Sequence, residues 1–281
     1  METLGGGSDW LGLRGKVVVV SGAAGGIGRV IVRSFVEVGA KVALLDRDEA
    51  SCEAVAAPLR DSGASVASFA CDIADEASVA AAAAGVAERL GAADVLVNNA
   101  AVLQAGSLAE IEIAQWNWLL SVNLTGFLIC ARSFGAQMKA KGAGAIVSVS
   151  SLAGHMPQGY SGAYSVAKAG VRMLSQNLAI ELGEFGIRSN VVSPAMLITP
   201  MSEAFYKDPA LKTKRIDMVP QRKIGRPEDI ADAIVWLSSA RSGYVSGEEL
   251  LVDGGLQRNL MTLIPRPGFD RRDHVVQSPG Q

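Results

Sequence analysis

Lys16-Val17-Val18-Val19-Val20-Ser21 runs directly into Gly22-Ala23-Ala24-Gly25-Gly26-Ile27-Gly28, and the reading of this junction decides the fold. The first half is too short and too β-branched for a helix, so it reads as a buried strand. Gly22, Gly26 and Gly28 follow the spacing G-x-x-x-G-x-G, and Ile27, Val30, Ile31, Phe35 and Val38 then recur at helical intervals. Strand, glycine turn and helix N-terminus in succession aim backbone N–H groups and the positive end of a helix dipole at a pyrophosphate. The missing side chains allow close approach. The next strand, Lys41 to Leu45, ends in Asp46, eighteen residues past Gly28, where a carboxylate accepts both ribose hydroxyls of an adenosine. Asp46 would repel a 2′-phosphate, and no basic residue lies between Ala23 and Gly26, so the pattern favours NAD. Arg47 beside it could partly accommodate NADP.

Working outward, strand and helix patterns alternate from Lys16 to Asp253. Strands are expected at Val66 to Cys71, Asp94 to Val97 and Gly144 to Ser150, with helices at Ala74 to Leu90, Ile113 to Met138 and Ala163 to Leu182. The alternation argues an α/β fold with one doubly wound parallel sheet, covered by helices on both faces. At 281 residues and 49% apolar content the chain can bury such a core without a second domain. The expected division is a flexible N-terminus over residues 1–11, a dinucleotide-binding catalytic domain over 12–257 and a C-terminal extension over 258–281. The net charge of −2 gives no reason to expect nucleic acid. Cys52, Cys71 and Cys130 have no metal-ligand spacing, so no metal is expected and a reduced, cytoplasmic location is the simple reading. Met1 to Trp10 lacks the basic start and apolar core of a signal peptide, and no run of consecutive apolar residues approaches the ~20 of a membrane span.

A second constellation points to proton transfer. A group that deprotonates an alcohol or protonates an alkoxide works best with a pKa near the operating pH, whereas free tyrosine titrates near ~10. A cation must lower it. Residues i and i+4 share a helix face, so Lys168 can set its ammonium beside the Tyr164 phenol. Of the four tyrosines only Tyr164 has a lysine at that spacing. Ser151, thirteen residues earlier, follows the apolar strand Gly144 to Ser150.

With these segments in view, the chain resembles the common short form of the short-chain dehydrogenase/reductases over about residues 12 to 257. Asn98-Asn99-Ala100 resembles that family's Asn-Asn-Ala-Gly segment, and Ser121-Val122-Asn123-Leu124 its asparagine-bearing helix. Ser151-Leu152-Ala153-Gly154, Tyr164-Ser165-Val166-Ala167-Lys168, Gly225-Arg226-Pro227-Glu228-Asp229 and Val252-Asp253-Gly254-Gly255 match further motifs. The resemblance implies a seven-stranded sheet of order 3-2-1-4-5-6-7, a homotetramer and hydride transfer with a nicotinamide. Tyr164 would be the acid–base, Lys168 would depress its pKa and hold the nicotinamide ribose, and Ser151 would hold the substrate oxygen. Asn123 would anchor a water linking Lys168 to solvent. Cofactor contacts would come from Gly22, Gly26, Ile27, Gly28, Asp46 and Arg47, and from Asp72 at the adenine amino group with Ile73 beside the ring. Asn98 would contact the adenosine ribose side through its backbone and Thr199 the carboxamide or pyrophosphate, with Ala100, Pro194 and Leu197 further cofactor contacts and the segment Asn190 to Thr199 closing over the nicotinamide. Asp72 also reads as a helix N-cap.

Ala101 and Ala195 stand where that family usually has glycine, which would matter if a positive φ were needed. For the substrate, family position suggests Leu103, Gln104, Ser151, Leu152, His155, Met156, Tyr160, Met196 and the segment from Met201 to Val219. Ser202 to Arg226 holds seven Lys or Arg against three acids, which fits either an anionic substrate or a solvated lid. The implied activity is NAD-dependent interconversion of a small secondary alcohol, such as a cyclic, polyol or steroid-like one, and its ketone. A 3-oxoacyl thioester reductase and a non-catalytic dinucleotide-binding scaffold are the alternatives. Beyond Gly255, Leu260 to Phe269 is expected to dock near the substrate cleft or on a neighbouring subunit, and Asp270 to Gln281 to fray.

Overall fold

Alternate residues of a strand face opposite sides of a sheet, and here both sides are apolar. Val18 and Val20 enter one buried layer while Val17 and Val19 enter the other, and Val42/Leu44 divide from Ala43/Leu45 in the same way. Such strands are stable only with helices on both faces. The structure, a computed structural model, describes residues 9–264. Its strands are β1 (Val17–Ser21), β2 (Lys41–Asp46), β3 (Val66–Ala70), β4 (Val95–Asn98), β5 (Gly144–Val149), β6 (Ile187–Pro194) and β7 (Glu249–Val252). All pair in parallel, in the order β3-β2-β1-β4-β5-β6-β7. The order reverses between β1 and β4, which opens a crevice beyond the carboxyl ends of the strands.

Helices α1 (Gly26–Glu37), α2 (Glu49–Asp61) and α8 (Pro227–Ser238) cover one face through residues such as Phe35, Cys52 and Ile234. The other is covered by α3 (Glu76–Arg89), α5 (Gly126–Lys141) and α6 (Tyr164–Gly183), through Val79, Phe134 and Leu178. Helix α4 (Ile113–Leu120) joins α5 through a π turn, Ser121–Thr125, where the sequence pattern suggests one unbroken helix. The run Ile113–Lys141 is long and apolar enough to cross a membrane, yet Phe127, Cys130, Phe134 and Met138 on it are buried in the second layer. Helix α7 (Pro209–Met218) lies in the segment between β6 and α8.

Three boundaries differ from expectation. Helix α3 starts at Glu76 because Asp75, not Asp72, caps it, accepting the Ala77 N–H at 2.9 Å. Asp72 accepts from Ala74 at 2.9 Å in the preceding turn. Asp9 to Leu11, placed in a flexible terminus by the sequence, are held down: Asp9 accepts the N–H groups of Leu13 and Arg14, and Arg241 donates to the Trp10 carbonyl at 2.8 Å. Past β7, Asp253 accepts from Gly255 and Gln257, and Leu256–Leu263 forms a 3-10 run tied to α7 by Asn259 Nδ2 donating to the Met218 carbonyl at 2.7 Å. Leu260, Met261, Leu263 and Ile264 remain exposed on it. The remainder of the extension, including the expected frayed end, lies outside the described residues.

Candidate active site

A cavity of about 480 Å³ occupies the crevice. Its dinucleotide end is built by the glycine turn. Gly22 has φ +64°, and a Cβ there would sit 2.6 Å from Ala100 Cα; one at Gly28 would sit 2.1 Å from the Gly22 carbonyl oxygen. Ser21 supports this approach, its hydroxyl accepting the N–H groups of Asn99 at 3.0 Å and Ala100 at 3.2 Å. Gly25 at the α1 N-cap offers no side chain and the first turn has no acid, so its backbone donors and dipole face the cavity uncompensated. Asp46, at the end of β2, reaches back to accept the Ala24 N–H at 3.2 Å, which fixes its carboxylate on the rim beside Arg47. Asp72 and Ile73 line the same end, and Pro194, Leu197 and Thr199 the opposite wall. The walls nearly touch: a Cβ at Gly26 would lie 2.7 Å from Pro200 Cδ and 3.2 Å from Thr199 Cβ. Free helix-terminal donors, a close glycine turn and a fixed carboxylate fit a nicotinamide dinucleotide.

The Asn98 side chain turns away from the cavity: it is fully buried and donates to the Phe127 carbonyl at 3.2 Å, and Asn98 is not among the lining residues, so only its backbone is left for the expected contact. Asn99 and Ala100 take its place on the wall, with Asn99 Nδ2 donating to the carbonyls of Ser21 and Gly22.

At the other end β5 stops at Val149, so Ser150 and Ser151 emerge just beyond the ladder. Ser150 donates to the Lys168 carbonyl at 2.7 Å, and a Cβ on Gly154 would lie 2.8 Å from the Lys168 carbonyl carbon. The turn after Ser151 is thereby pressed onto α6, which brings Ser151, Tyr164 and Lys168 to one wall of the cavity. Lys168 is 1% exposed; its Nζ donates to the Val149 carbonyl at 2.9 Å and lies 5.1 Å from the Phe127 ring centre. Burial pushes the Lys168 ammonium down to about 7. Burial likewise pushes the Tyr164 phenol above its usual value, and a hydrogen bond with the Ser151 hydroxyl opposes that rise. Lys168 Nζ lies 5.7 Å from the Tyr164 ring centre, where its charged form would favour the phenolate.

Asn123 sits in the π turn, fully buried: Oδ1 accepts from Val102 at 3.1 Å, and Nδ2 donates to the carbonyls of Val102 and Leu119. Its side chain clamps the segment after β4, with both amide hydrogens used and one lone pair of Oδ1 free. The π turn adjoins a close tertiary contact, since a Cβ on Gly126 would lie 2.9 Å from Ile73.

Of the expected substrate residues, Leu103, Ser151 and Met196 line the cavity, and Leu152 and Met156 do not. Gln104 is exposed outside it, and Tyr160, 79% exposed with φ +60°, points to solvent. His155 turns to β7, where its Nε2 lies 2.7 Å from Glu249 Oε1, off the line of a hydrogen bond. Arg172 and Ser193 also bind that carboxylate, which outcompetes the cavity for the imidazole. Gln158, Phe205, Tyr206 and Arg215 line the cavity as well. Phe205, Tyr206 and Arg215 fall in the segment Met201 to Val219 that family position suggests for the pocket, whereas nothing in the sequence points to Gln158. Ala101 and Ala195 have ordinary negative φ, so neither position requires glycine.

Fold and site together define a dinucleotide-dependent oxidoreductase with a tyrosine on the cavity wall. Comparison with known proteins agrees. A family model described as enoyl-(acyl carrier protein) reductase matches residues 22–257. D-threitol dehydrogenase of Mycolicibacterium smegmatis is 37% identical over 86% of this chain and 93% of its own. Cis-4-hydroxycyclohexanecarboxylate dehydrogenase of Sinomonas cyclohexanicum is 38% identical over 85% of this chain and 96% of its own. Among solved structures, a gluconate 5-dehydrogenase from Burkholderia cenocepacia in complex with NADP and tartrate superposes with a TM-score of 0.85, at 31% identity, over 89% of this chain and 98% of that one. The chain belongs to the short-chain dehydrogenase/reductase family and is an oxidoreductase acting on CH–OH groups.

Proposed function

We propose that the protein is an NAD-dependent dehydrogenase interconverting a secondary alcohol and its ketone, with Tyr164 as the acid–base. The convergence of Ser151, Tyr164 and Lys168 on one wall of the cavity carries this reading. The dinucleotide supplies the hydride acceptor and, when oxidised, a positive charge. The Ser151 hydroxyl holds the substrate oxygen, and Tyr164 Oη takes the alcohol proton during oxidation or returns it during reduction. Lys168, on the same wall and pushed down by burial, is the group placed to take up that proton next. The relatives named above act on a polyol, a cyclic hydroxy acid and gluconate, and a small polar or cyclic alcohol is the substrate class proposed here. Tyr164→Phe removes the transferable proton at almost constant volume, so kcat in a screen of secondary alcohols should fall by at least ~10²-fold while dinucleotide Kd is kept. Near-normal turnover would remove Tyr164 from the mechanism.

NAD is preferred over NADP on the strength of Asp46, whose fixed carboxylate would meet a 2′-phosphate as a like charge. Asp46→Ala should narrow the ratio of the two dissociation constants, and tighter binding of NADP by the unmodified protein would overturn the preference. The three cysteines are buried and unpaired, in keeping with a reduced, cytoplasmic setting. Val166, Met173 and Ile180 recur every seventh residue as an exposed apolar stripe on α6, in keeping with a homotetramer built on this helix.

A further inference from the structure

Arg215 is a basic residue of the lid segment that lines the cavity, and its surroundings are unusual for a surface arginine. It lies on α7, where its guanidinium carbon is 4.8 Å from the Tyr206 ring centre and 5.6 Å from that of Phe205. Two aromatic faces therefore hold the group in place. One terminal nitrogen donates to the Tyr206 hydroxyl at 3.3 Å, and Nε is buried with no hydrogen-bond partner. No carboxylate pairs with Arg215 among the described residues. The acids nearest in sequence are engaged or remote: Asp208 caps α7, Asp217 pairs with Arg222 at 3.1 Å, and Glu203 is exposed.

A buried, unsatisfied donor on a permanent cation is costly, and the cost is relieved when an anion reaches it. The planar fork of a guanidinium matches a carboxylate in two parallel hydrogen bonds. Within the cavity, acids lie at the dinucleotide end, as Asp46 and Asp72, whereas the segment bearing Arg215 contributes Met201, Phe205 and Tyr206. The pyrophosphate already has the glycine turn and the α1 N-terminus. We infer that Arg215 binds a carboxylate on the substrate, so that the preferred alcohol is a hydroxy acid whose carbon skeleton packs on Phe205, Tyr206 and Met196. The inference rests on the dehydrogenase reading above and narrows its substrate class. Arg215 would then select substrates, with no part in proton transfer.

The test compares a carboxylate with its neutral isostere, first in binding and then in turnover. Titration of the NAD-bound protein with cyclohexanecarboxylate and with cyclohexanecarboxamide should show the acid binding about ten- to a hundredfold more tightly. The acid-to-amide ratio should fall towards one in Arg215→Gln and be partly kept in Arg215→Lys, whose point charge lacks the fork. Steady-state assays of a cyclic hydroxy acid and its primary amide should show the same loss of preference, expressed in KM more than in kcat. Equal binding of the two ligands by the unmodified protein overturns the inference. So does an equal loss for both ligands in Arg215→Gln, which would make the residue a structural part of the lid, and so does a loss of NAD affinity, which would assign it to the pyrophosphate. Alcohol oxidation without a carboxylate preference would refute the inference and leave the dehydrogenase reading standing. Arg215-dependent carboxylate binding with no turnover of any alcohol would do the reverse.

Discussion

Lys168 is the residue whose burial has the widest consequences. Its amine is buried at 1% exposure and titrates at about 7 against an ordinary 10.5. Between those values the unfolded chain binds a proton that the folded chain does not, so folding stability rises with pH across that window; below about 7 the full penalty applies. Buried thiols act in the opposite sense from about 9.0 upward, since Cys52 and Cys71 are pushed up to about 12 and about 11, and Tyr164 joins them above 10. The clean interval is therefore pH 7 to 8.5. There, urea unfolding of the cofactor-free protein should show a gain on the order of 2 kcal/mol, and Lys168→Met should abolish most of it. A flat profile in the unmodified protein would mean that the ammonium is solvated or paired in solution. The same titration bears on catalysis, because an amine pushed down by burial can exchange a proton with the neighbouring phenol.

The first βα turn and the segment after β6 work as two elements of one clamp. Gly26 is where they meet, with room for a hydrogen but not for a methyl between it and Pro200 and Thr199. Gly26→Ala should push the segment after β6 away and weaken dinucleotide binding by about tenfold or more in a fluorescence titration, with little change in melting temperature because the contact lies at a cavity edge. An unchanged Kd would show that the segment yields freely. This turn was legible in the sequence because every atom that defines it lies within a few residues: the β-branched run, the glycine spacing and the helical period all act locally. Tyr164 and Lys168 were legible for the same reason, being one helical turn apart. The position of His155 and the setting of Arg215 within its expected pocket segment were not. The first is claimed by Glu249, ninety-four residues on, and the second is placed by two aromatic rings, so both depend on packing that no local period encodes. The π turn escaped because the apolar spacing of Ile113 to Met138 passes through it almost undisturbed, while the contact it adjoins, the approach of Gly126 to Ile73, is tertiary.

Across the whole molecule, the sheet is a rigid floor, and the parts that determine what enters the cavity are stacked on one side of it: the segment after β6, α7 and the 3-10 run Leu256–Leu263. The Asn259 bond to the Met218 carbonyl joins the last two, so the chain beyond β7 buttresses α7 from behind. Because Arg215 and its two rings lie on the same segment, loosening that support should be felt at the substrate end of the cavity and not at the glycine turn, which has its own support from Ser21. Truncation after Gln257 should accordingly raise the substrate KM by about fivefold, the loss expected from one hydrogen bond of ~1 kcal/mol, with dinucleotide affinity held. Light scattering of the same variant would separate a second role, because Leu260, Met261, Leu263 and Ile264 present an apolar edge that a neighbouring subunit could cover. If KM rises while the assembly is unchanged, the extension acts on α7 within its own chain. A fall in both assembly and affinity for the alcohol would place the buttress across a subunit boundary, and a truncated enzyme equal to the full chain in both would leave α7 self-supporting.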